Sequence, residues 1–96
     1  MIFVTQDTDI KLSDTGAQYI YFYDSKAPFH RTTLECMEHW EKEHTTESLA
    51  IDLEYFQNQS KRFNVSVIPT FIIFKDGKEW ARIEGMFTDQ IFKNTR

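Results

Sequence analysis

The sequence predicts an α/β domain: a mixed sheet of parallel strands, closed by a C-terminal antiparallel hairpin and flanked by helices. Three observations carry that prediction. Pro69 stands directly before the apolar run Thr70 to Phe74, where a residue without an N–H can open a strand but cannot sit inside a central one. The Ile68-Pro69 bond at this junction is also a candidate cis peptide. The run ends in Lys75-Asp76-Gly77-Lys78, an Asp-Gly hairpin signal, and a second strand follows over Glu79 to Ile83. Upstream, Tyr19 to Tyr23 is continuously β-forming and apolar, as a buried central strand requires.

The remaining elements follow in chain order. Ile2-Phe3-Val4 is a short strand candidate. Asp7 to Ser13 is read as a helix with Ile10 and Leu12 as its core anchors. Gly16 supplies a turn before the long strand. From Pro28 the chain reads as helical, because proline suits a first helical turn, where the missing donor costs nothing. Thr33, Cys36, Met37, Trp40 and His44 recur at helical spacing, with Glu35, Glu38, Glu41 and Glu43 largely off that stripe. The helix is expected to end between Glu43 and Thr45. Leu49 to Leu53 is the next strand. Tyr55 to Phe63 is expected as a short helix carrying Tyr55, Phe56 and Phe63 inward. After Gly85, Phe87 to Phe92 begins a short C-terminal helix. The order β, α, β, α, β, α, β, β, α makes residues 1–96 a single domain.

Ninety-six residues bury roughly 60–65% of their extended surface, enough for one core without staples. Apolar residues are 41% of the chain and nine are Phe, the composition of a packed globule and not of a disordered tail. The net charge is −4 and no Lys/Arg cluster is present, so nucleic-acid binding is not expected. No stretch approaches the ~20 apolar residues of a membrane span. The amino terminus lacks a basic segment followed by an apolar one, so no signal peptide is read there. One cysteine excludes an intrachain disulfide. Together these features lead to the expectation of a cytoplasmic protein without membrane partners.

The chain resembles the thioredoxin family. The residues that carry the resemblance are Ile68-Pro69-Thr70, Phe74-Lys75-Asp76-Gly77 and Gly85, with Ile51-Asp52-Leu53-Glu54 and Phe63-Asn64-Val65 upstream. Tyr19 to Tyr23 running into Ala27-Pro28-Phe29-His30 is similar in pattern to the family's first half. The resemblance implies a thioredoxin-like fold and, at 27–30, the place where active members carry Cys-x-x-Cys. Ala27 then stands at the nucleophile and His30 at the resolving thiol. The family's buried acid and its partner lysine fall at Tyr21 and Ala50. Thioredoxin-type exchange needs a thiolate at a helix amino terminus and a second thiol one turn on, so no catalytic residue is assigned and no dithiol–disulfide activity is expected.

What remains is a surface. The resemblance implies a shallow groove between the loop before the helix and the loop before Pro69, lined by Tyr23, Ala27, Pro28, Phe29, His30, Val67, Ile68 and Pro69. It favours a redox-inactive module that binds a protein partner. The alternative is an enzyme with non-dithiol chemistry at His30, using glutathione or another small molecule, although the nearest basic residues are only Lys26 and Arg31. Cys36 reads as a small buried core residue. His39 and His44 show no metal-ligand spacing, and neither a metal nor a cofactor is expected. The compositional bias toward Lys, Asn, Ile and Phe is compatible with a viral source.

Overall fold

The computed structural model describes residues 1–85. Five strands form one sheet in the order β1-β3-β2-β4-β5: β1 (Ile2–Phe3), β2 (Ala17–Tyr23), β3 (Leu49–Asp52), β4 (Thr70–Lys75) and β5 (Lys78–Glu84). Among the described residues two α-helices accompany them, α1 (His30–His44) and α2 (Asn58–Arg62). The β1–β3 and β3–β2 pairs are parallel, whereas β2–β4 and β4–β5 are antiparallel. The two halves of the sheet therefore meet at β2, one strand earlier than a terminal hairpin alone would place the change.

Strand β2 is central because both of its faces are apolar. Tyr21 and Tyr23 join a cluster with Met37, Trp40, Ala50, Phe71 and Ile83 beneath α1. Ile20 and Phe22 join Val4, Ile51, Phe63, Ile72 and Phe74 on the other face. Alternation along a strand separates the two sets, so one run of residues serves both layers. In the hairpin, Gly77 takes φ 81°, a conformation that glycine adopts without steric cost. Arg82 then ties β5 to the end of α2, donating to the carbonyls of Phe63 at 2.7 Å and Asn64 at 2.9 Å.

Several expectations need correction. Asp7 to Ser13 is not an α-helix: only a 3₁₀ turn forms, over Asp7–Asp9, and Leu12 is exposed while Ile10 is buried. Helix α1 starts at His30, not Pro28, because Phe29 takes a left-handed conformation that keeps Pro28 outside the helix. Glu41 is buried despite its place off the apolar stripe. Its carboxylate accepts from the Ser48 N–H at 2.6 Å and the Ser48 hydroxyl at 2.9 Å, and lies 3.2 Å from the Met1 amine. Helix α2 is shorter than expected and Tyr55 faces solvent, since Asp52 accepts the Tyr55 and Phe56 N–H groups in a turn that precedes the helix. The helix expected over Phe87 to Phe92 lies outside the described residues. Among the described residues no helix is long and apolar enough to cross a membrane.

Candidate functional site

The loop from Tyr23 to His30 is shaped by short polar side chains. Asp24 accepts the Lys26 N–H through its carboxylate at 2.9 Å and the Ala27 N–H through its carbonyl at 3.0 Å, the local mimicry of a turn at which aspartate excels. Asp52, buried at the end of β3, accepts the Ser25 N–H at 3.2 Å. The loop is thus fastened to the neighbouring strand. Phe29 closes it with φ 64°, an outlier for a bulky residue, at a cost of about 1–2 kcal/mol. Its carbonyl accepts the Thr33 N–H at 3.1 Å and so begins α1. Its ring is 70% exposed.

Across from this loop, the Ile68–Pro69 peptide bond is cis. The Thr70 hydroxyl donates to the Val67 carbonyl, and the Gly85 N–H donates to the Pro69 carbonyl at 2.8 Å, which anchors the segment to the end of β5. Between the two loops lies a cleft of about 240 Å³, lined by Tyr23, Asp24, Ala27, Pro28, Phe29, His30, Thr33, Ile68 and Pro69. Seven of the eight residues expected at the groove are therefore brought together. Val67 is exposed but does not line the cleft. The lining also includes Asp24 and Thr33, of which the sequence offers Thr33 only as part of the apolar stripe and Asp24 not at all.

The floor of the cleft is a fixed stack. His30 lies on Tyr23 with ring centroids 5.0 Å apart and 17° between planes, and Tyr23 in turn stacks on Tyr21 at 5.4 Å. The His30 Nδ1 is buried with no hydrogen-bond partner among the described residues. Burial pushes the Tyr21 hydroxyl up to about 12, against a smaller opposing effect of its hydrogen bond to Thr33. Burial, with the Asp52 charge second, also raises the Tyr23 hydroxyl. Tyr21 and Ala50 are register partners on adjacent strands. The place where the resemblance implies a carboxylate and a lysine holds a phenol and a methyl group.

The charged residues near the cleft are mostly occupied. Lys26 lies 2.9 Å from Glu54, which raises the lysine through that hydrogen bond and the attendant charge. Cys36 is half-buried against the core cluster under α1 and does not line the cleft, so it is more open than a fully buried core residue. Among the described residues, no three His, Cys, Asp or Glu side chains stand together as a metal site would need.

Comparison with known proteins places this geometry in context. The family described as Thioredoxin matches residues 28–96. Thioredoxin Y2 of the chloroplast of Arabidopsis thaliana is 46% identical over 35 residues, which are 36% of this chain and 21% of that protein. The match therefore spans about a fifth of the relative's length. Among solved structures, a thioredoxin from Nicotiana alata is 20% identical with a TM-score of 0.85, over 97% of this chain and 87% of that one. A mutant thioredoxin from Halobacterium salinarum is 20% identical with a TM-score of 0.81, over 97% and 84%. Fasciola hepatica thioredoxin is 23% identical with a TM-score of 0.74, over 84% and 79%. At such identities these structures establish the fold.

Proposed function

The chain belongs to the thioredoxin family, and from that premise we propose that it is a redox-inactive member that binds a protein partner through the cleft beside Pro69. The observation that carries this reading is Phe29. A large aromatic side chain is held in a strained backbone conformation and presented to solvent at the mouth of an apolar cleft. Backbone strain persists where the surroundings enforce it and is concentrated at functional sites. Aromatic anchors in apolar patches are frequent interface hot spots. The partner would lie as an extended segment against Ile68 and Phe29, held by contact and backbone hydrogen bonds. Neither Ala27 nor His30 can form or resolve a mixed disulfide, so no covalent step is involved.

A pull-down from native lysate with wild-type protein beside Ile68→Asp and Phe29→Ala, read by mass spectrometry, tests the proposal. A partner held by the wild type and lost from both variants supports it. Identical captures in all three, or measurable turnover in an insulin-reduction assay, would discard it.

One observation favours a second reading. The unpartnered Nδ1 of His30 is a buried polar atom of the kind that costs about 1–3 kcal/mol unless satisfied, and a small molecule entering the cleft could satisfy it after a modest ring shift. Calorimetric titration with reduced glutathione discriminates: saturable heat that disappears in His30→Ala favours small-molecule chemistry over protein capture.

A further inference from the structure

A second cavity, of about 310 Å³, lies near the carboxyl end of α1, where Tyr19, Trp40, His44, Ile73, Lys75 and Trp80 come together. None of the cleft residues lines it. Its aromatic walls are ordered: Tyr19 meets Trp40 edge-on at 5.2 Å, and Trp40 stacks on His44 at 4.4 Å. The His44 Nδ1 lies 2.8 Å from the Trp40 carbonyl, which can only accept, so this nitrogen carries the proton and the ring is pinned in place.

The fourth wall is built by an irregularity. Ile73 pairs with Ala81 while Phe74 pairs with Glu79, which leaves Trp80 as an extra residue in β5. A bulge of this kind re-aims a side chain and is frequent beside binding sites. Here it places an indole that is 54% exposed over an aromatic cavity. Ordinary alternation would have put position 80 on the face opposite that of Ala81.

Charge supplies the second half of the argument. Lys75 lines the cavity and sits opposite Lys78 in the hairpin register, and like charges directly opposite one another are unfavourable. Neither lysine makes an ion pair among the described residues, while the nearby carboxylates are committed elsewhere. Glu79 pairs with Arg82 at 2.7 Å, and Asp76 accepts the Gly16 N–H at 2.9 Å. At the other end of the cavity α1 terminates in carbonyl groups, whose dipole disfavours an anion. The cavity is therefore polarised, with its cationic side at the hairpin.

We propose that this cavity is a binding site for a small planar aromatic ligand bearing an anionic group. The ring lies against Trp40 and beneath Trp80, and the anion faces Lys75 and Lys78. The site is independent of the cleft at Pro69.

The test uses the full chain and two isosteric probes, naphthalene-2-carboxylate and naphthalene-2-carboxamide, followed by two-dimensional NMR at low salt. The expected result is saturable shifts at Tyr19, Trp40, His44 and Trp80, with the carboxylate bound about fivefold more tightly than the amide. Trp80→Ala should weaken both probes by about tenfold. Lys75→Gln combined with Lys78→Gln should erase the preference for carboxylate. Both sets of positions are exposed, and circular dichroism checks that the variants remain folded. The proposal is overturned if neither probe saturates, if the shifts fall at Phe29 and Ile68 instead, or if Trp80→Ala binds as the wild type does. Equal affinity for the two probes would remove the anionic part of the assignment.

Discussion

The Tyr21 hydroxyl donates to the Thr33 hydroxyl oxygen at 3.0 Å, and Thr33 in turn donates to the carbonyl of His30 at 3.0 Å. This relay joins the centre of β2 to the first turn of α1, with the Tyr21–Thr33 bond fully buried. It sits where the family resemblance implies a proton-handling acid. A phenol that is paired and raised to about 12 keeps its proton across the physiological range.

Replacing Tyr21 by Phe removes the donor and leaves Thr33 satisfied by its own donation to His30. The expected loss is about 1 kcal/mol, read by urea denaturation at pH 7. The pH dependence separates this contribution from general packing. The Tyr21 value is raised from 10.0 to about 12 in the folded protein, so the neutral phenol is the form that folding favours. Its contribution is complete below pH 10 and drains away as the pH rises through 12. Wild-type stability should therefore fall more steeply in that window than the stability of Tyr21→Phe.

Glu41→Ala should destabilise the protein by about 3 kcal/mol, because it strips the buried Ser48 groups of their acceptor and leaves the buried Met1 amine with the more distant Glu47 carboxylate at 3.7 Å. Ser48 loses the acceptor for both its N–H and its hydroxyl. Glu41→Gln should cost less, since both bonds end on one oxygen, Oε2, and an amide oxygen in its place still accepts them. Denaturation midpoints of the two variants check the order. Equal midpoints would mean that the charge carries the effect and that the retained acceptor contributes nothing.

Phe29→Gly makes opposed predictions for stability and binding. Glycine occupies φ 64° without a steric penalty, so the variant should hold or gain up to about 1 kcal/mol. The same change deletes the exposed ring and should weaken partner capture at least as much as Phe29→Ala. A loss of both stability and capture would show that the ring packs and does not recruit.

Cys36 is half-buried on α1 with Leu34 and Met37 nearby in the chain. A thiol-reactive dye should label native protein at least about tenfold more slowly than unfolded protein, because labelling needs an accessible thiolate. Equal rates would mark Cys36 as an open, reactive thiol.

Much of this architecture is legible in the sequence. The Pro69 junction, the Asp76-Gly77 turn and the β2 run each impose a local constraint that few alternatives satisfy, and all three stand in the structure as read. Seven of the residues that line the cleft are those the family resemblance implies for its groove. Other features were not legible. Glu41 looked like a solvated helix residue, and only the arrival of Ser48 and the Met1 amine makes its burial tolerable. Phe29 gave no sign of a left-handed conformation, which is imposed where the Asp24 turn meets the start of α1.

By itself the sequence determined the class of fold, the order of strands along the chain and the absence of a thiol pair, since these depend on periodicity, turn chemistry and residue identity. Only the tertiary structure decided which polar groups are buried with partners, that His30 stacks on Tyr23 with a nitrogen unpaired among the described residues, and that a bulge turns Trp80 over a second cavity. The physical reason is the same in each case. A side chain's burial and aim depend on neighbours that are distant in sequence, and strand register, which brings those neighbours together, is fixed only when the whole sheet closes on its two cores.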